Sequence, residues 1–447
     1  MKSIKKLTLL LVLVTITSYA FAQKETYVQL KGKLKGFNNQ VQIEDMSEFQ
    51  YLLPPTATRM IVPDTAGNFS IKFKITSPNY FRLGRNALYL SPNDNLEVYI
   101  DYGDPRKAVF NGTGAEANIY LKNTPFPKGG SFIEAGKNVK NTPEETIAAV
   151  EEMASLREKE LATVTNITPE FRRLETARIK ADLINSIISG NTYSAMKLKL
   201  KDEAAKTFFE SYKKISAAPI AKYANNFIDA SLMKLVVYRD IAEEVIAQEG
   251  KPAEIERIKE FYTSSTLVRN MQKQSDKQLL APFKTEIDNL KTPAYKASTT
   301  QMLNYLMAFG KGDVAVDFIA MDQKGKKINL SSLMGKVIYV DLWATWCGPC
   351  MQEMPSYEKL KQKYADNPNV VFVSLSIDDS ESLWKNSIAQ RKADGEQWII
   401  NRAKLQAYNI VGIPRSLLID KDFKMVSMAA PMPSEAAAVK EIDRLLN

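Results

Sequence analysis

The chain has 447 residues, of which 45% are hydrophobic and 25% charged, with a formal net charge of +9, two cysteines and no histidine. This length predicts two to four domains, and the lack of histidine excludes Ser-His-Asp and Cys-His catalysis as well as histidine-bearing zinc sites. Basic residues are interspersed with acidic ones and no GxxxxGK loop occurs, so neither a nucleic acid nor a nucleotide is an expected partner. We predict no metal and no other cofactor.

The N-terminus has the composition of a secretory signal peptide. Three lysines lie among the first six residues, an apolar run covers 7–16, and Ala20-Phe21-Ala22 supplies the small residues that a signal peptidase requires. We predict that residues 1–22 are removed, that the protein is located in the periplasm or cell envelope, and that the mature chain has no transmembrane segment. An uncleaved anchor is the alternative. No cysteine lies near the cleavage site, so a lipoprotein is not expected.

Residues 23–115 and 116–310 differ in pattern. In 23–115, short alternating runs are separated by turns rich in Gly, Pro, Asn and Asp, which predicts an antiparallel β-sandwich-like domain. In 116–310, apolar residues recur at helical spacing, which predicts an all-α region. Helical patterns cover 143–164, 168–188, 208–215, 220–247, 252–262 and 295–309.

Residues 311–447 alternate strand and helix patterns, which predicts a C-terminal α/β domain and a multidomain chain. A hairpin is expected within 318–330. The elements expected after it are strands at 337–344, 370–377, after Pro414 and at 425–429, and helices at 349–364, 381–392 and 434–446.

The two cysteines, Cys347 and Cys350, lie where the first of these strands gives way to a helix. Their Cys-x-x-Cys spacing predicts a redox-active dithiol that closes to a disulfide. Unpaired N–H groups and the positive end of the helix dipole stabilise a thiolate on Cys347 and lower its pKa, so Cys347 is the predicted nucleophile. Cys350, almost one turn further on, is the predicted resolving thiol, and Pro349 suits a first-turn position.

The segment Trp346-Cys347-Gly348-Pro349-Cys350, followed by Pro355, resembles the active-site motif of the thioredoxin superfamily, and most closely that of its secreted TlpA/ResA-like branch. The resemblance extends over about the last 135 residues, less than a third of the chain, and implies a thioredoxin-like fold for that part.

The same resemblance implies roles for two acidic residues. Asp341 occupies the place of the buried thioredoxin aspartate, which exchanges protons with the inner cysteine, and Glu353 matches a glutamate that the TlpA/ResA-like branch carries near its dithiol. Cys350 and Glu353 also share a helix face, so the carboxylate is within reach of the thiol. The alternatives are a structural Asp341 and a solvated Glu353. The lysine that partners the buried aspartate in thioredoxin has no match in 370–378.

The Gly-Ile-Pro sequence ending at Pro414 is similar to the thioredoxin loop in which a cis-proline faces the dithiol. This implies that Ile413 and Pro414 bind an extended substrate strand, with Trp346, Gly348 and Pro349 at the rim of the site. The alternatives are an ordinary proline at the start of a strand and a tryptophan that only packs.

These features predict a secreted thiol-disulfide oxidoreductase that reduces disulfide-containing envelope proteins and is itself re-reduced by a membrane electron donor. By resemblance, cytochrome c maturation is one candidate pathway, and residues 23–115 look like a β domain of unknown function attached to many such reductases. A disulfide oxidase or isomerase is disfavoured, since those relatives often carry histidine where Pro349 stands. Peroxiredoxins carry Thr or Ser and Pro where this chain has Ala344 and Val340. An envelope binding or scaffold protein with a redox-switch dithiol is the alternative from another class.

Overall fold

The computed structural model describes residues 26–37, 41–55, 59–124, 131–246, 251–274, 276–378 and 381–447. The predicted signal peptide, residues 1–22, lies outside these ranges. Within them, no helix is both long enough and apolar enough to cross a membrane.

The N-terminal region consists of short strands, as the alternating pattern predicts. The strands are β1 Tyr27–Lys35, β2 Val41–Gln42, β3 Glu44–Asp45, β4 Met60–Ile61, β5 Asn68–Lys74, β6 Asn79–Leu83, β7 Asn86–Leu90, β8 Asn95–Asp101 and β9 Val109–Thr113. A four-stranded sheet has the order β5-β1-β8-β9, a three-stranded sheet has the order β3-β6-β7, and β2 pairs with β4. The β1–β8 pair is parallel and the other pairs are antiparallel. Alternate residues of β1, such as Val28 and Leu30, are fully buried between the sheets.

The central region is helical. Its helices are α1 Ala115–Leu121, α2 Pro143–Thr163, α3 Pro169–Lys197, α4 Asp202–Ala224, α5 Val236–Ile246, α6 Pro252–Gln272, α7 Phe283–Asp288 and α8 Pro293–Ala308. The expectation of continuous helical structure over 220–247 was wrong. Helix α4 ends before Asn225, Asn226 has a left-handed backbone with φ of 53°, and Asp229 caps a separate short turn by accepting a hydrogen bond from the Ser231 N–H.

The β region and the helices share one core. Tyr80 on β6 and Tyr89 on β7 pack with Phe171 of α3, and the Tyr80 hydroxyl donates a 2.6 Å hydrogen bond to Glu175 Oε1. Glu175 also accepts from Arg178, whose guanidinium donates to Asp182 at 2.8 Å. A buried charged cluster, Glu175–Arg178–Asp182, therefore lies where the β region meets α3.

The C-terminal domain is α/β, and the predicted multidomain fold class is confirmed. Its strands are β10 Ile319–Asp322, β11 Lys327–Asn329, β12 Val337–Trp343, β13 Val370–Ser376, β14 Glu396–Ile399, β15 Arg415–Ile419 and β16 Met425–Ala430, and its helices are α9 Gly348–Lys363, α10 Glu381–Arg391 and α11 Ala436–Leu446. They form a seven-stranded sheet with the order β11-β10-β14-β13-β12-β15-β16. Strand β14 was not expected from the sequence. It is short, and it is held by pairing with β13 on one side and β10 on the other.

Strand β12 is an interior strand of this sheet, between β13 and β15, and every residue in it is buried. It runs parallel to β13 and antiparallel to β15, so its carboxyl end lies beside the carboxyl end of β13 and the amino end of β15. Three loops therefore meet at one edge of the sheet. They are the segment between β12 and α9, the residues after β13, and the residues before β15.

Candidate active site

The two cysteines form a disulfide at the start of α9. Cys347 is the N-cap residue, and its Sγ atom accepts a hydrogen bond of 3.2 Å from the Cys350 backbone N–H. Gly348 and Pro349 form the first turn, where the missing proline N–H costs no helical hydrogen bond. The helix therefore begins close to the position that the sequence pattern predicts, and the Cys350 N–H points toward the Cys347 sulfur.

The two cysteine residues are both buried. Cys347 is 5% exposed and Cys350 is 1% exposed, whereas the neighbouring Trp346 is 65% exposed. Gly348 and Pro349 are also exposed. The exposed residues Trp346, Gly348 and Pro349 therefore flank a buried disulfide. The roles of Cys347 as nucleophile and Cys350 as resolving thiol stay predictions.

Asp341 lies on β12, opposite Ser374 of β13 and Ser416 of β15 in the sheet register. It is 3% exposed. Burial raises the pKa of Asp341 to about 7, with a further upward contribution from the Glu353 charge and a downward contribution from Arg391. The carboxyl group therefore titrates near neutral pH, which is the property that the predicted proton exchange with Cys350 requires.

Glu353 lies on α9, one turn after Cys350, and is half-buried. Its two carboxylate oxygens accept hydrogen bonds from Ser434, one from the backbone N–H at 3.1 Å and one from the hydroxyl at 2.9 Å. Glu353 thus ties the dithiol helix to the loop before α11. It is not a freely solvated side chain, and its charge acts on Asp341.

The cation near Asp341 comes from α10, a helix that the sequence predicts without linking its arginine to the site. The Arg391 guanidinium lies over the Trp343 ring, 4.6 Å from its centroid, and its Nη1 atom is 3.2 Å from Met354 Sδ. Burial lowers the pKa of Arg391, whereas Glu358 and Asp341 raise it. The positive charge near Asp341 therefore comes from Arg391, since β13 has no lysine. Nothing in its sequence spacing connects it to the dithiol.

Ile413 and Pro414 lie at the same edge of the sheet. The peptide bond between them is cis, both side chains are half-buried, and Ile413 packs against the cluster that contains Cys347 and Cys350. The last pair of the β12–β15 ladder joins Leu342 to Arg415, so the backbone of Ile413 lies outside that ladder. The structure thus brings all of the predicted site residues to one edge of the C-terminal sheet.

Asp378 is a second residue that the sequence reasoning missed. It follows β13, is 5% exposed, and accepts hydrogen bonds from the backbone N–H and the hydroxyl of Thr345, two residues before Cys347. The only signal in the sequence is an aspartate that follows an apolar strand running parallel to β12, at the edge where the dithiol lies.

Comparison with known proteins gives matches that agree with this geometry. Residues 310–446 match the Redoxin family. The thiol-disulfide oxidoreductase ResA of Bacillus cereus is 37% identical over 116 residues, which are 26% of this chain and 66% of the relative. ResA of Bacillus subtilis is 29% identical over 133 residues, which are 29% of this chain and 72% of the relative. The chain thus spans 66% of the length of the first of these curated relatives.

Among solved structures, the thioredoxin domain of a thiol-disulfide oxidoreductase from Bacteroides vulgatus is 26% identical, with 31% of this chain and 99% of that domain covered and a TM-score of 0.29. The Redoxin match leaves residues 1–309 outside it.

Proposed function

We propose that the whole protein is an extracytoplasmic thiol-disulfide oxidoreductase that works as a reductase, on the premise that residues 310–446 match the Redoxin family and are similar to the ResA thiol-disulfide oxidoreductases. The observation that carries the proposal is the Cys347–Cys350 pair at the N-terminus of α9, with the buried carboxyl group of Asp341 on the adjacent strand.

In the proposed reaction, the Cys347 thiolate attacks one sulfur of a substrate disulfide. A Cys347–substrate bond forms, the substrate S–S bond breaks, and the departing sulfur takes up a proton. Cys350 then loses its proton and attacks Cys347 Sγ, which releases the second substrate sulfur as a thiol. Two electrons pass from the Cys347–Cys350 dithiol to the substrate, and the pair ends as the disulfide.

Asp341 is the proposed acceptor of the Cys350 proton. A base with a pKa near the working pH is both sufficiently deprotonated to accept a proton and sufficiently basic to hold it. Glu353 assists through its charge, because a second carboxylate keeps the pKa of Asp341 from falling. Burial raises the free energy of the ionised Asp341 carboxylate, and uptake of the Cys350 proton removes that free-energy cost.

The proposed substrate site is the rim around the dithiol. The Ile413 backbone lies outside the β12–β15 ladder and Gly412 has open space around it, so an extended substrate segment can pair there beside Pro414. Trp346 supplies exposed aromatic area for the same segment, while Gly348 and Pro349 leave the approach to Cys347 free of bulky side chains.

The predicted signal peptide supports location in the periplasm or cell envelope, where disulfide-containing envelope proteins are the proposed substrates. A dithiol in an oxidising compartment is depleted unless it is re-reduced, so the proposal includes a membrane electron donor. Apocytochrome c is one candidate substrate.

The test combines turnover and trapping. The full mature chain should reduce insulin with dithiothreitol as electron source, and Cys347→Ser should abolish this turnover. In cells, Cys350→Ala should accumulate mixed disulfides with its substrates, because the resolving thiol is missing, and Cys347→Ser is the matched control that should trap none. If the double variant with both cysteines changed to serine still binds an envelope protein tightly while the parent chain lacks turnover, a binding or scaffold function replaces the proposal.

A further inference from the structure

A buried carboxylate that the reaction does not use holds the turn before Cys347. Each carboxylate oxygen of Asp378 accepts a hydrogen bond of 3.0 Å from the Thr345 N–H. Oδ1 also accepts from the Thr345 hydroxyl at 2.7 Å, and Oδ2 accepts from the Ser376 hydroxyl at 2.8 Å. Three donor groups from two residues therefore converge on one side chain that is 5% exposed.

The segment that Asp378 holds is the turn that presents the nucleophile. The Cys347 N–H donates to the Ala344 carbonyl at 3.0 Å, so Thr345 and Trp346 are the central residues of a tight turn. Asp378 is anchored to the first of them. Consecutive Cα atoms are about 3.8 Å apart, so the Cα atoms of Thr345 and Cys347 are separated by at most about 7.6 Å. With the 3.0 Å hydrogen bonds to the Thr345 N–H, the Asp378 oxygens lie at most about 12 Å from the Cys347 Cα atom.

The charge of Asp378 is not cancelled by a close cation in the described part of the chain. The donors that it accepts from are a backbone N–H and two hydroxyls, which are neutral groups. Asp378 and Cys347 are both buried, so water screens the interaction between them weakly. A negative charge at this distance opposes the stabilisation that the N-terminus of α9 gives to a thiolate.

We propose that Asp378 is a positioning residue with a second effect: it orders the Thr345–Trp346 turn, and its negative charge disfavours the Cys347 thiolate. When two electrons reduce the Cys347–Cys350 disulfide, the product is a dithiol that is partly ionised at Cys347. A charge that disfavours this ionised form shifts the equilibrium toward the disulfide, which makes the reduced protein a better electron donor. The inference rests on the proposed reductase function. It gives a structural reason why electrons pass from the dithiol to a substrate disulfide.

The decisive variant is Asp378→Asn, which removes the charge and keeps an oxygen that accepts from Thr345. Its matched control is Thr345→Val, which removes the hydroxyl hydrogen bond and keeps both the charge and the backbone N–H. Other charged groups near the dithiol are Asp341, Glu353 and Arg391, and neither variant changes them. Two quantities are measured on the full chain: the pKa of Cys347 from the pH dependence of its alkylation rate, and the dithiol–disulfide equilibrium constant against glutathione.

We expect Asp378→Asn to lower the pKa of Cys347 by about half a unit to one unit and to shift the equilibrium about threefold to tenfold toward the dithiol, which corresponds to about 15–30 mV. Thr345→Val should change the pKa of Cys347 and the equilibrium constant by at most a third of the change seen in Asp378→Asn. An unchanged or raised pKa in Asp378→Asn overturns the proposal, and so does an equal shift in Thr345→Val.

If Asp378→Asn does not fold, Asp378→Ser carries the same test, since its hydroxyl is uncharged and can still accept a hydrogen bond. The pKa of Cys347 is measured without a protein substrate. If the parent chain fails to reduce insulin, the proposed reductase function is contradicted. The effect of Asp378 on the pKa of Cys347 is then still decided by the alkylation measurement.

Discussion

Two regions of this protein contain buried carboxylates, and the charged groups that offset the free-energy cost of burial differ between them. In the cluster between the β region and α3, Arg178 lies between Glu175 and Asp182 and donates to both at 2.8–2.9 Å. In the C-terminal domain, Asp341 has another carboxylate, Glu353, as its strongest charged influence, and Arg391 as a weaker opposing one. Close pairing with a cation keeps a buried acid ionised, whereas burial beside a like charge makes it a proton acceptor.

Burial raises the pKa of both Asp182 and Asp341, so the contrast lies in the charged groups beside them. Burial raises the pKa of Asp182 to about 6, and the Arg178 charge and the Ser131 hydroxyl oppose this rise. Although burial lowers the pKa of Arg178, Glu175 and Asp182 more than offset it and the guanidinium stays charged. Burial raises the pKa of Asp341 to about 7, so this group titrates in the working range. The first cluster joins two parts of the fold, and the second site is suited to proton transfer.

The largest expected effect is on stability, from breaking the paired cluster. Arg178→Met leaves two buried carboxylates without their cation, and we expect the free energy of unfolding to fall by about 3–5 kcal/mol. Urea denaturation measures this loss. The control is Arg173→Met on the same helix, because Arg173 is 42% exposed and its loss should cost less than about 1 kcal/mol. A similar loss in both variants would show that the buried cluster has no special role.

Asp341→Asn should have the opposite effect on stability and a strong effect on turnover. Folded Asp341 holds its proton more tightly than the unfolded chain does, with a pKa of about 7 against 3.8. The contribution of Asp341 to stability is therefore fully present below about pH 4 and is lost as the pH rises from about 4 to 7, a change of up to about 4 kcal/mol. Asp341→Asn removes this loss, so it should be more stable than the parent chain above pH 7 and nearly equal to it at pH 4.

In the same variant we expect insulin turnover to fall by about 10²-fold, because the acceptor of the Cys350 proton is gone. Mixed disulfides should accumulate. The matched control is Glu353→Gln, which keeps the Asp341 carboxyl, removes a neighbouring negative charge, and should move the pH midpoint of turnover downward. Unchanged turnover in Asp341→Asn would transfer the proton-acceptor role to Glu353.

The smallest expected effect comes from Arg391, whose positive charge is the weaker of the two charged influences on the pKa of Asp341. Arg391→Met removes the positive charge that lowers the pKa of Asp341, so the pH midpoint of turnover should rise by less than about one unit. Arg391→Lys keeps a charge and should leave the midpoint nearer to that of the parent chain. A midpoint that stays the same in Arg391→Met would mean that the arginine only packs on Trp343.

The comparison also separates what could be predicted from what could not. The strand before Cys347, the helix after it and the final helix follow from local patterns, and the observed β12, α9 and α11 lie close to the predicted positions. Strand β14 was missed because it has four residues and depends on pairing with β10 and β13, which are distant in sequence. The break after Ala224 was missed because apolar periodicity does not register a pair of asparagines that ends a helix.

By itself, the sequence determined the chemistry: two cysteines at i and i+3, a proline in the first turn and an aspartate in an apolar strand, all within ten residues of chain. The effects of these residues on one another depend on backbone groups that are close in the chain, so they can be predicted from the local sequence. Only the tertiary structure brought Asp378 to Thr345 across 33 residues and Ser434 to Glu353 across 81, and placed Arg391 on Trp343. The physical reason is that the pKa of a buried acid depends on the loss of water and on charges in space, and both are set by packing between elements that are far apart in the chain.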